Sequence, residues 1–145
     1  MRTHGHIRFA LAVAATLALF AGAAAAVAAS FSLQLNLEGG YANRELTACS
    51  IKHHYTFFHP RAAIAIKGSI APIPRGTWQV KVKVKQCLHG RRFRAVWFRH
   101  ALGHADGTFK LIYPTARRGY FFARAYYYGY QPRIISQDQH FRVTR

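Results

Sequence analysis

The sequence predicts an all-β fold: a two-layer sandwich of seven or eight antiparallel strands behind an N-terminal signal helix. Three observations predict it. Apolar and polar residues alternate with a period of two through much of the chain after Ser30. Turn residues recur every 8 to 12 positions there. No segment in that part shows a helical period of apolar residues. The length of 145 residues leaves room for one core and little else.

Residues 1–29 read as a signal peptide. Arg2 and Arg8 give a positive front end, and no residue from Phe9 to Ala29 is charged. Val27-Ala28-Ala29 closes the block with the small side chains a signal peptidase needs, and a cut after Ala26 is the alternative. A retained membrane anchor is the competing reading, because a span needs about 20 apolar residues. The Ala-rich composition and the absence of a basic exit favour cleavage. The expected location is secreted, periplasmic or cell-surface. Contact with a membrane is expected only through this segment or through surface charge.

The elements follow in chain order. Phe31, Leu33, Leu35 and Leu37 alternate with polar residues until Gly39-Gly40 ends the run. Glu45–Phe58 is less regular, so residues 30–60 read as one strand and an irregular leading segment. The sandwich is expected over residues 61–145. Ile64, Ile66 and Ile70 mark its first strand, and Pro72, Pro74 and Gly76 the turn after it. The clearest strand is next, with Trp78, Val80, Val82 and Val84 on one face and Lys81, Lys83 and Lys85 on the other. Phe93–Phe98 follows, with Phe93, Ala95 and Trp97 on one side. Asp106-Gly107 turns into Thr108–Tyr113, Tyr120–Tyr128 is a long aromatic strand, and Ile134–Val143 is the last.

Cys49 and Cys87 are the only cysteines, and an even pair in an exported chain reads as one disulfide. Closing that loop constrains the unfolded chain by roughly 4 kcal/mol. Alternation puts Cys87 on the lysine side or in the turn, so a staple to a sheet edge is expected rather than a bridge between sheets.

Four stretches carry a resemblance: Lys67-Gly68-Ser69-Ile70, the alternation from Trp78 to Lys85, Asp106-Gly107-Thr108-Phe109, and Gly119-Tyr120-Phe121-Phe122-Ala123-Arg124-Ala125. Together they resemble the immunoglobulin-like and fibronectin type III-like sandwiches of exported bacterial proteins. The two later motifs are also similar to carboxypeptidase regulatory-like domains. The resemblance spans Ile66 to Val143. It implies a sandwich with an accessory, adhesive or ligand-binding role, and it implies no chemistry, since fold does not transfer function.

Charge dominates the functional reading. The chain has 21 Lys plus Arg against 4 Asp plus Glu, and loss of Arg2 and Arg8 leaves 19 against 4, or +15. Such an excess exceeds what solubility needs. The candidate polyanion-binding residues are Lys81, Lys83, Lys85, Arg91, Arg92, Arg94, Arg117 and Arg118. The lysine row has the spacing of successive phosphates, but a solvated face or a charged protective edge gives the same pattern. Tyr120, Tyr126, Tyr128 and Tyr130 form either a stacking platform for sugars or bases, or core packing under a covered second face. The expected partner is an anionic polymer or carbohydrate of the cell envelope, with some non-specific nucleic-acid binding. A secreted copper- or zinc-binding sandwich using His53, His54, His59, His100 or His104 is an alternative, although no metal-ligand spacing is present. A cationic toxin or antimicrobial protein is another. No cofactor motif and no catalytic constellation appears. Ser136, Asp138 and His140 hold the residue types of a triad but lie on one strand, where they do not converge.

Overall fold

The computed structural model describes residues 30–145, so the signal peptide expected over residues 1–29 lies outside the described residues. Among the described residues no helix is long and apolar enough to cross a membrane. Ten strands account for most of the described residues: β1 Ser32–Glu38, β2 Ala42–Ala48, β3 Ile51–Phe58, β4 Ala63–Ala71, β5 Gln79–Leu88, β6 Arg92–Leu102, β7 Thr108–Pro114, β8 Gly119–Tyr127, β9 Ile134–Ile135 and β10 Gln139–Val143. They build two sheets. The smaller has the order β1-β4-β7, and the larger runs β2-β3-β10-β8-β5-β6, with the short β9 also paired to β8. All pairs are antiparallel except β3 with β10. With β1, β4 and β7 facing β10, β8, β5 and β6, the two sheets form a β-sandwich.

Period-two patterning explains why these residues take these faces. Leu33 and Leu35 of β1, Ile64, Ile66 and Ile70 of β4, and Phe109 and Tyr113 of β7 point inward from the small sheet. Val80, Val82 and Val84 of β5, Phe121, Ala123, Ala125 and Tyr127 of β8, and Phe141 and Val143 of β10 meet them from the large sheet. Phe141 lies at the centre, stacked on Phe121 at 5.1 Å and edge-on to Phe58 and Tyr113 at 5.9 Å. Trp78 closes one end over Tyr127 and Phe109. Gly103 permits that closure, because a Cβ there would come within 2.0 Å of the indole.

Three features differ from the expectation. First, residues 30–60 hold the expected strand as β1, and a hairpin stands in place of the expected irregular segment. β1 pairs with β4 along its whole length, and β2 and β3 form a hairpin joined to the large sheet. The strand count therefore rises above eight. The hairpin turn is Cys49-Ser50, with φ of 52° and 63° at the two positions. A two-residue turn of that hand normally carries Asn or Gly, so the sequence offers no signal for it. Second, β6 has an extra residue opposite the Val84/Lys85 step of β5. The bulge turns Phe93 and Trp97 to opposite faces: Phe93 packs on Phe122 outside, and Trp97 packs on Tyr113 at the sandwich edge. Third, the last strand splits into β9 and β10, because the Ser136 hydroxyl accepts the Ala125 N–H at 2.9 Å in place of a backbone carbonyl.

The β2–β3 hairpin does not stay in the plane of the sheet. β3 pairs with β10 only over Thr56–Phe58. Upstream of Thr56 the hairpin lies across the outer face as a flap. His53 stacks on His140 at 4.1 Å, and Tyr55 meets Tyr120 at 5.7 Å. Cys49, at the flap tip, is bonded to Cys87 of β5, with Cα atoms 5.8 Å apart. The disulfide thus joins the flap to the outer face and does not cross the core between the sheets.

Two stability outcomes follow from this packing. Phe141→Ala should cost roughly 3–5 kcal/mol, as for other fully buried aromatic rings. Replacing Cys49 and Cys87 together by Ala should cost up to about 4 kcal/mol and open the flap to proteolysis near Ser50. Urea unfolding and limited proteolysis read these effects, and cleavage elsewhere first would contradict the flap assignment.

Candidate functional site

Two surfaces concentrate the positive charge, and they differ in kind. The first is the outer face of the large sheet. On β5, Lys81, Lys83 and Lys85 point outward, as alternation requires. Each ammonium lies over a ring of a neighbouring strand: Lys81 over Phe98 at 4.4 Å, Lys83 over Tyr126 at 5.0 Å and Lys85 over Phe122 at 5.4 Å. All three lysines are half-buried. Their stems cover aromatic surface, and each cation–π contact adds about 0.5–1 kcal/mol at such a site. Arg124 sits in the same face over Phe122 and forms a two-pronged pair with Asp138, Nε to Oδ1 at 2.5 Å and Nη2 to Oδ2 at 2.6 Å. The Asp138 hydrogen bond holds this guanidinium even more firmly protonated than usual.

The four tyrosines do not form one platform. Tyr120 lies half-buried under the flap against Tyr55. Tyr126 is only 6% exposed, between Lys83 and Arg133, and it stacks beside Tyr128. Tyr128 is 47% exposed, and Tyr130, 43% exposed, packs on Phe31. Only Tyr128 and Tyr130 thus present substantial ring surface.

The second charged surface is one end of the sandwich. There the chain turns between β3 and β4, β5 and β6, and β7 and β8, and there it also leaves β10. Thr115 binds the Ala62 carbonyl through both its N–H and its hydroxyl, drawing the β7–β8 loop onto the β3–β4 turn. The Gln86 side chain donates to the Arg118 carbonyl at 3.0 Å, fixing the same loop to β5. These ties bring Arg61, Arg117 and Arg118 around one cavity of about 210 Å³, with Pro60, Thr115 and Val143 in its wall. Arg61 holds its position with φ of 61°, as the third residue of the His59–Ala62 turn. Arg91 and Arg92 flank a second hollow on the neighbouring β5–β6 turn. Arg94 lies one turn of alternation further along β6.

The acidic residues are spent elsewhere. Glu38 pairs with Lys67 at 2.7 Å, Glu45 with Lys52 at 3.3 Å, and Asp138 with Arg124. Asp106 accepts from the N–H and hydroxyl of Thr108, which hold its carboxyl below the usual range. None of the three ion pairs among the described residues involves Arg61, Arg91, Arg92, Arg94, Arg117 or Arg118. Arg61 is absent from the residues that sequence reasoning selected. Its place in a non-glycine left-handed turn left no signal beyond Pro60-Arg61.

The histidines separate. His53 stacks on His140, His59 on Tyr41 at 4.3 Å, and His100 touches Phe98. His54 is on the opposite face of β3, and His104 donates its N–H to Thr108 in the β6–β7 turn. Among the described residues no three of His, Cys, Asp and Glu converge. Ser136, Asp138 and His140 are each committed: to Ala125, to Arg124, and to the interior under the flap.

Comparison with known proteins returns no matching family model and no matching curated protein.

His140 makes the flap sensitive to acid. Burial, reinforced by the neighbouring His53, pushes its imidazole down to about 4, from an ordinary value of 6.5. Between those values the folded state binds fewer protons than the unfolded chain. Stability should therefore be full above about pH 6.5 and fall by about 2–3 kcal/mol as the pH drops toward 4. Urea unfolding at pH 7.5 and 4.5 measures the loss, and His140→Gln should flatten it.

Proposed function

We propose that the chain is an exported, non-catalytic binding module that holds anionic polymers of the cell envelope at the arginine-bearing end of its sandwich. One observation carries this reading. Arg61, Arg117 and Arg118 converge on a cavity at an end whose loops contain no acidic residue. Guanidinium groups favour two-pronged contacts with phosphate, sulfate or carboxylate, and three around one hollow suit a singly or doubly charged group. Arg91 and Arg92 extend the positive surface along the same end, so neighbouring anionic units of one polymer have further partners. The lysine row supports the site from a distance through its field, while its ammonium groups cover aromatic rings. The polymer chemistry that fits is repeated negative charge, as in teichoic acid, lipopolysaccharide phosphates or polyphosphate.

The test is retention on heparin and polyphosphate columns at rising salt. Retention should persist past physiological ionic strength. Arg61→Gln with Arg118→Gln should lower the log–log salt slope by about 1.4–1.8, since each lost phosphate contact removes about 0.7–0.9. Lys81→Gln with Lys83→Gln should lower it less, despite the same loss of charge. Equal slopes for the two double variants would show that only net charge matters, and elution at low salt would reject the reading.

A further inference from the structure

β6 is the outermost strand of the large sheet, so one side of its backbone has no partner strand. It is eleven residues long, the longest strand of the fold. A free edge of this length is usually blunted, and the bulge at Val96 and the arginines go part of the way. Yet beyond the bulge the run Trp97–Leu102 is regular and keeps large apolar groups in solvent, with Phe98 51% and Leu102 67% exposed. Beside this edge the sandwich opens between β6 and β7. A groove of about 490 Å³ lies there, with Ala95, Val96 and Trp97 on one wall, Tyr113 on the other and Arg117 at its end. Trp97 is held in the groove between Tyr113 at 5.3 Å and the Arg99 guanidinium at 5.9 Å. Arg99 also donates to the Phe98 carbonyl at 3.0 Å, so an acceptor on the edge strand is met by a side chain of its own neighbour.

We infer that the β6 edge receives an extended acidic polypeptide segment as an added strand. Strand addition supplies main-chain hydrogen bonds, and alternate side chains then choose the partner. Here one set of side chains lies beside Phe98 and Leu102 on the outer face, which asks for apolar residues. The other set shares the face of Trp97 and meets a rim of Arg92, Arg94 and Arg99, none of which has an ion-pair partner among the described residues. Neither β6 nor β7 contains an acidic residue. A carboxylate at that rim draws Arg99 to itself and frees the Phe98 carbonyl for the incoming N–H. Charge argues against a second copy as the occupant, because edge-to-edge pairing would set two arginine rims against each other.

The probe is an acetylated, amidated hexapeptide of alternating Val and Asp. Its control is the same peptide with alternate backbone nitrogens methylated, which keeps the charge and removes donors. Calorimetry should give one-to-one binding at least tenfold tighter for the first peptide. Trp97 emission should shift on binding, and Trp97→Phe should abolish the shift while the buried Trp78 remains. Arg94→Glu with Arg99→Glu should weaken the peptide at least tenfold and leave the Arg61- and Arg118-dependent loss of polyphosphate affinity in place, which separates this site from the one proposed above. Equal binding of the two peptides would reduce the interaction to charge and overturn the inference. So would sedimentation showing a β6-mediated dimer that the peptide fails to dissociate.

Discussion

The architecture rests on one strand that is apolar on both sides. β8 directs Phe121, Ala123, Ala125 and Tyr127 inward and Tyr120, Phe122 and Tyr126 outward. A sheet in a two-layer sandwich normally leaves its outer face to water. Here that face carries aromatic rings at the centre of the large sheet, and they need a second cover. The small sheet covers the inner rings. The outer rings are covered by the β2–β3 flap over Tyr120, by Phe93 over Phe122, and by lysine stems laid over Phe122 and Tyr126.

Several features that look separate follow from this requirement. A flap of two short strands pairs with the sheet over only three residues, too little to hold it by hydrogen bonds. The disulfide fixes its far end, at a turn whose Cys49 and Ser50 both adopt a conformation disfavoured for residues with a side chain. The small cluster beneath it, Ala48, Tyr55 and Phe57 with Tyr120, is a second core outside the sandwich. His140 belongs to this space and is kept neutral by burial, and its Nδ1 and the Tyr55 hydroxyl have no protein partner there. An imidazole that must stay uncharged couples the cover of β8 to proton concentration.

The same requirement divides the positive charge by role. Cations on the outer face are drawn onto rings, and Arg124 is locked to Asp138. Cations on the loops meet no carboxylate among the described residues, and apart from Arg133 over Tyr126 they have no ring to cover. The loop arginines are therefore the groups with unsatisfied donors, and an anion from outside is what can satisfy them. Thr115 and Gln86 matter to function through position: their hydrogen bonds to backbone carbonyls bring Arg117 and Arg118 toward Arg61.

Alternation determined the strands β1, β4 and β5 with their inward faces and the outward direction of Cys87, because side-chain direction along a strand depends only on parity. Turn residues marked Asp106-Gly107. Parity could not choose the inward face of β8, which is apolar on both sides. Composition determined the basic excess. Parity failed at Val96, where one inserted residue reverses every side chain beyond it, and the sequence carries no mark of the insertion. It was silent at Cys49-Ser50, since the turn lacks the glycine or asparagine that announces such a hairpin. What only the tertiary structure decided is which cations are free. That depends on distances between residues far apart in the chain, such as Lys83 to Tyr126 or Arg61 to Arg117, which strand pairing fixes and local pattern does not encode.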